Sequence, residues 1–185
     1  MSPFNKKYAI TVFCLQLGWL YGLTTLRYLS LSRNEVNYIA DDGWEFCRAL
    51  ETLDLSHNSL LILERESLLN LPRLKRLYLQ HNSISHVATE STQKDKPLFS
   101  DVPLLEEIWL DGNQISHTIE DTSAPFRSLR HLRLISLSQN QIQSVGKNAF
   151  GGGLDNLETI DLRGNVISTM QENAFEFLPN IRSGH

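Results

Sequence analysis

The residues best suited to chemistry in this 185-residue chain are six histidines, two cysteines and a few acidic clusters. His57 and His81 each stand directly before an asparagine, 24 residues apart. Two stacked imidazoles would supply two metal ligands. The equivalent positions elsewhere read Arg33, Gly112, Gln139 and Gly164, so no third ligand recurs and no metal site is expected. His86 and His117 close the matching stretches "SISH" and "QISH" and read as surface turn residues, while Glu120 and Asp121 read as a solvated loop. Cys47 fits a small buried hydrophobe, with a disulfide to Cys14 or to a segment outside this sequence as the competing reading. There is no P-loop, nucleophile elbow, Cys-x-x-Cys or His-Glu-x-x-His. Without a convergent titratable set, neither an enzyme nor a cofactor is expected.

What positions these side chains is a repeat. The template L-x-x-L-x-L-x-x-N-x-L fits six times, around Asn34, Asn58, Asn82, Asn113, Asn140 and Asn165, and asparagine fills its position every time. The steps between these asparagines are 24, 24, 31, 27 and 25 residues. Most fall in the range of leucine-rich repeats, roughly 20–29. The longer steps place extra polar residues at 88–97 and 118–124, which read as loops. In each copy the central L-x-L predicts a short strand with its leucines turned inward. The asparagine amide can serve backbone groups that the following turn leaves unpaired, and stacked copies predict an asparagine ladder. Later apolar pairs, Ala149-Phe150 and Ala174-Phe175, close the outer wall. By the same register Trp44 takes the place of Phe175, and Cys47 that of Leu178. One copy cannot bury its own apolar face, so neighbours must stack. The expected fold is α/β: a curved leucine-rich-repeat solenoid of six repeats plus truncated ends, with a parallel β-sheet on its concave face.

Residues between the strand leucines then face the concave side. One column reads Ser30, Asp54, Tyr78, Trp109, Ser136, Asp161, and its neighbours hold Arg76, Glu107 and Leu134 on one side and Asp111 on the other. Tyr78 and Trp109 should lie in adjacent strands, about 5 Å apart. Trp109 interrupts the apolar–polar alternation of "LEEIWLDGNQI" because the core does not need it. Exposed aromatics ringed by charge have the make-up of a protein-binding hot spot. The plainer reading is that the two rings stabilise the sheet by packing on each other. Tyr78, Trp109, Arg76, Glu107, Leu134 and Asp111 are the expected partner-binding residues.

The formal net charge of −4 argues against a phosphate backbone as partner, so no nucleic acid is expected. Residues 1–18 form a separate segment: Lys6 and Lys7 precede an apolar run, as in a secretory signal, an anchor or a misread start. The solenoid is assigned to 19–182 and a short tail to 183–185. A solenoid end without a polar cap exposes core residues, so 19–182 expressed alone is expected to be poorly soluble.

Three stretches, "WEFCRALETLDLSHNSL" (44–60), "ISHTIEDTSAPF" (115–126) and "ISTMQENAFEFLPN" (167–180), resemble the ectodomain of the leucine-rich repeats and immunoglobulin-like domains family. The resemblance covers about residues 20–182. It implies a single-pass cell-surface protein that associates with growth-factor receptors and tunes their signalling, with a receptor ectodomain as partner, membrane attachment outside the solenoid, and no catalytic residues. The family's cysteine-rich caps and immunoglobulin-like domains are not in this sequence. Two other readings stay open: an intracellular leucine-rich-repeat adaptor, and a purely structural or adhesive spacer.

Overall fold

Short strands recur because each template copy offers only one inward leucine flanked by two outward residues before the chain must turn. The structure, a computed structural model, describes residues 14–15, 20–85, 87, 97–116, 125–127, 129–150 and 152–184. The candidates at His86, His117, Glu120 and Asp121 lie outside the described residues, as does most of the 1–18 segment and of the two insertions.

The strands are β1 (Cys14–Leu15), β2 (Tyr28–Ser30), β3 (Tyr38–Ile39), β4 (Thr52–Asp54), β5 (Arg76–Tyr78), β6 (Glu107–Trp109), β7 (Leu134–Ser136), β8 (Ser144–Val145), β9 (Thr159–Asp161), β10 (Thr169–Met170) and β11 (Ser183–Gly184). One 3-10 helix spans Arg65–Leu68. The main sheet runs β11-β9-β7-β6-β5-β4-β2 and every pairing in it is parallel. The two minor sheets, β1-β3 and β8-β10, are parallel pairs. This is the expected solenoid. One boundary differs: Ser183–Gly184, set apart as tail, pair with Thr159–Ile160 of β9. A strand forms there because the neighbouring turn offers an open edge with backbone groups still to satisfy.

The inward leucines stack into one core. Leu53, Leu77, Ile108 and Ile135 are fully buried, as are Leu50, Leu74, Leu105, Leu132 and Leu157 of the position before. A second apolar row lies on the opposite wall. Phe99, Phe126, Phe150 and Phe175 form a continuous stack, with ring centroids 5.7, 6.4 and 5.6 Å apart. Trp44 continues the same position in the first turn. It is buried, and its indole N–H donates to the Ser67 carbonyl at 2.8 Å. Cys47 is a buried free thiol, so it forms no disulfide to Cys14. Burial pushes that thiol above its ordinary range, so it behaves as a small hydrophobe.

On the outer wall, the last turn is the more exposed. Phe150 is 1% exposed, whereas Phe175 is 36% and Ile181 37%. Met170 pairs with buried Val145 yet is half exposed.

The asparagines join the turns. Asn58, Asn82, Asn113 and Asn140 are buried, and each amide serves two turns at once. The Asn113 Nδ2 donates to the Leu79 carbonyl of the preceding turn and to Leu110 of its own, and its Oδ1 accepts the Ile84 N–H. Asn165 does the same toward Leu137, Leu162 and Ile142. Among the described residues, Asn34 bonds the carbonyls of Leu31 and Ser32 in its own turn.

Candidate functional site

Register assembles the concave face from residues far apart in the chain. Arg76 pairs with Glu107 and Glu107 with Leu134; Tyr78 pairs with Trp109 and Trp109 with Ser136. Their side chains point away from the core because Leu77, Ile108 and Ile135 between them point into it. Five of the six expected partner-binding residues therefore lie on β5, β6 and β7 of the main sheet, and Asp111 follows two residues past β6.

Within the patch, the Tyr78 and Trp109 rings lie 6.3 Å apart at 30°. Each is half-buried, so each ring keeps a solvent-facing side. The Trp109 indole N–H reaches Glu107 Oε2 at 3.3 Å, and the Arg76 guanidinium reaches Glu107 Oε1 at 3.4 Å. Both ions of that pair are substantially exposed, so it orients side chains more than it stabilises the fold. Tyr78 is a weaker acid than usual, first because its hydroxyl is partly desolvated, then because Glu107 disfavours a phenolate, with Arg76 opposing. Leu134 flanks Glu107 rather than the rings. The residue beside Trp109 on that strand is Ser136.

Asp111 is more deeply engaged than its position in the template suggests. Its Oδ1 accepts the hydroxyls of Ser136 and of Ser138, the latter at 2.6 Å. Its Oδ2 is buried and has no donor among the described residues, and the same holds for Gln80 Oε1 in the neighbouring strand. Asp54 accepts from Ser30 at 3.0 Å and from the Ser56 hydroxyl at 2.7 Å. Asp161 is held by Arg163, whose guanidinium contacts both carboxylate oxygens. These contacts raise the Arg163 pKa further, the hydrogen bond to Asp161 foremost. Gln80, Ser136 and Ser138 were not among the expected site residues. The signal for them is their place in the columns beside Trp109.

The column of His57 and His81 has a backbone cause. Arg33, His57, His81 and Gln139 all adopt a left-handed conformation, with φ of 60, 54, 55 and 54°, and Gly112 and Gly164 adopt it with 64 and 69°. The chain bends there at every turn before the asparagine. The two imidazoles stack at 4.5 Å. Among the described residues no group of three His, Cys, Asp or Glu is placed to hold a metal. His57 is a weaker base than usual, through lost hydration first and then the charges of Arg33 and His81, with Asp54 opposing.

A Cβ on Gly112 would sit 2.5 Å from His81 Nδ1. We therefore expect Gly112→Ala to cost about 2 kcal/mol, combining left-handed strain with displacement of the His81 ring. In a His81→Ala background the same change should cost only about half as much. Equal urea-midpoint shifts in both backgrounds would exclude the contact.

One further column escapes a reading limited to concave side chains. Arg27, Glu51, Lys75, Glu106, Arg133, Glu158 and Arg182, each directly before a strand, alternate in sign along the whole rim. Arg133 and Glu158 are 3.1 Å apart, and Arg27–Glu51, Lys75–Glu106 and Arg182–Glu158 lie within 3.7–3.8 Å. The alternation is visible in the sequence once the copies are aligned. It penalises any slip in the order of turns, because a slip sets like charges side by side.

The family model for leucine rich repeats matches residues 15–60, 48–94 and 130–183, more than half of the chain. The chain belongs to the leucine-rich repeat family. Among leucine-rich-repeat relatives, Toll-like receptor 3 of Bos taurus is 32% identical over 147 residues, which is 75% of this chain and 15% of the receptor. Among solved structures, an octameric complex of Latrophilin 3, Unc5D and the leucine-rich repeats of FLRT2 aligns with a TM-score of 0.63 at 28% identity, over 77% of this chain and 40% of that one. The TLR13–ssRNA13 complex aligns with a TM-score of 0.61 at 22% identity, covering 85% of this chain and 24% of that one, and this shows the shared fold. The chain thus spans less than half the length of these relatives. No helix among the described residues is long and apolar enough to cross a membrane.

Proposed function

We propose that this solenoid is a protein-binding module of a cell-surface protein, and that its concave face engages the partner through Tyr78 and Trp109. Arg76, Glu107, Leu134 and Asp111 frame the contact. The observation that carries the reading is the aromatic pair itself, two partly exposed rings in register on a face of mostly polar side chains. Relatives that are Toll-like receptors, and a structural neighbour whose leucine-rich repeats assemble with Latrophilin 3 and Unc5D, support an extracellular setting. The resemblance in the sequence narrows the partner to a growth-factor receptor ectodomain whose signalling the full protein tunes, with membrane attachment outside the described residues.

The test is direct. Trp109→Ala and Tyr78→Ala should each weaken binding to such an ectodomain by about tenfold or more, measured by surface plasmon resonance. Their unfolding midpoints should move little, since a surface cross-strand pair contributes about 0.2–1 kcal/mol. Unchanged affinity with a lowered midpoint would replace this reading with that of a structural spacer, which the close contact of the two rings favours.

A further inference from the structure

We infer that the partner delivers an arginine side chain to the concave face, stacked on the Tyr78–Trp109 rings and hydrogen-bonded by the oxygens of Gln80 and Asp111. The inference rests on the concave face being the binding surface, and it names the chemistry that this surface selects.

Three observations lead to it. First, the face has an excess of negative charge. Its three concave columns carry Asp54, Glu107, Asp111 and Asp161 against Arg76 and Arg163. Both arginines are already committed, Arg76 to Glu107 and Arg163 to Asp161. An incoming cation meets free carboxylate charge, whereas an incoming phosphate backbone meets repulsion. Second, the aromatic pair sits in the middle of that charge. Asp54 lies beside Tyr78 in register. Aromatic faces bordered by carboxylates attract guanidinium groups through the ring quadrupole. Third, two acceptors lack donors at the adjoining position. Gln80 and Asp111 follow Tyr78 and Trp109 by two residues, just past the ends of β5 and β6, where the two turns still run side by side and the His81 N–H donates to the Asp111 carbonyl at 2.8 Å. Gln80 Oε1 and Asp111 Oδ2 are buried without a donor among the described residues, and both side chains are partly exposed, so a rotation of each brings its oxygen to the incoming group. A buried acceptor with no donor carries a standing cost, which a group that can donate twice removes. Guanidinium offers five N–H donors in a planar fork and a flat face for the rings, and no other side chain combines the two.

The experiment uses the full chain labelled with 15N and follows the indole N–H resonance of Trp109. The probes are a blocked Gly-Ser-Arg-Ser-Gly peptide, its citrulline and leucine analogues, and a single-stranded RNA oligonucleotide. We expect a saturable shift with the arginine peptide and binding about tenfold weaker with citrulline, which keeps the shape and loses the charge. Asp111→Asn and Gln80→Ala should each erase that preference, and a far-ultraviolet spectrum checks that both variants fold. Equal binding of the arginine and citrulline peptides overturns the inference, as does RNA binding more tightly than the arginine peptide, or no shift with any peptide. If the leucine analogue binds as tightly as arginine and Tyr78→Ala abolishes both, the face still binds partners but does not select arginine. If Trp109→Ala leaves partner-protein binding intact, the concave-face reading falls as well.

Discussion

Replacing Asn113 with alanine will lower the free energy of unfolding by about 3–4 kcal/mol, close to the largest effect a single side chain of this fold can produce. The Asn113 amide bridges two turns. Its Oδ1 is the acceptor of the buried Ile84 N–H at 3.0 Å. Its Nδ2 donates to the carbonyls of Leu79, Leu110 and Asp111. The carbonyls survive truncation better than the N–H does. Leu79 also accepts from Asn82, and Leu110 also accepts from Asn140. The Ile84 N–H has no such second partner among these bonds, and an orphaned buried donor costs about 1–3 kcal/mol by itself. Loss of the remaining bonds adds the rest. Asn113→Asp should do no better, because a carboxylate can accept from Ile84 but cannot donate to the carbonyls around it. Asn34→Ala is the control. Among the described residues Asn34 bonds its own turn alone, and about 1 kcal/mol is expected. Urea unfolding at matched m-value reads the difference. Similar midpoint shifts for Asn34→Ala and Asn113→Ala would mean that bridging between turns contributes nothing.

Phe126→Ala is expected to cost about 3–5 kcal/mol, from lost burial and the cavity that remains. Its ring is 1% exposed and stacked on both faces, against Phe99 at 5.7 Å and Phe150 at 6.4 Å. Phe150 cannot move into the space without breaking its stack on Phe175. Phe175 offers the contrast within the same molecule. It stacks on Phe150 only and is 36% exposed, so Phe175→Ala should cost about 1–2 kcal/mol. Tm differences measured by calorimetry would rank the two. A larger loss at Phe175 would show that the stack does not act as a continuous support.

Much of the fold was legible because its unit is short and repeated. The strand leucines and the asparagine recur at a period that six copies make unmistakable, and the columns drawn from that period are the observed register, Tyr78 beside Trp109 and His57 beside His81. The outer wall was harder to read. Phe150 and Phe175 follow alanine in matching contexts, but Phe99 and Phe126 come directly after the two insertions, where spacing from the preceding asparagine changes. Counting back six residues from the leucines that follow, Leu105 and Leu132, places both rings correctly. The left-handed column was also partly hidden. Its residue types, Arg, His, His, Gly, Gln and Gly, share only tolerance of a positive φ.

The candidate site divides in the same way. That six particular residues share one face follows from the alternation of a strand and the period of the repeat, both local properties of the chain. How they interact does not. The Arg76–Glu107 pair, the two serine hydroxyls on Asp111 Oδ1 and the unmatched oxygens of Gln80 and Asp111 depend on side-chain conformations in three adjacent strands. Strand spacing, twist and the occupancy of neighbouring columns set those conformations together. By itself the sequence determined the solenoid, its register and the identity of the residues on each face, because a repeat writes the same local instruction in every turn. Only the tertiary structure decided which charges are already neutralised, which acceptors lack a donor and which rings keep an open face, because those properties belong to contacts between turns.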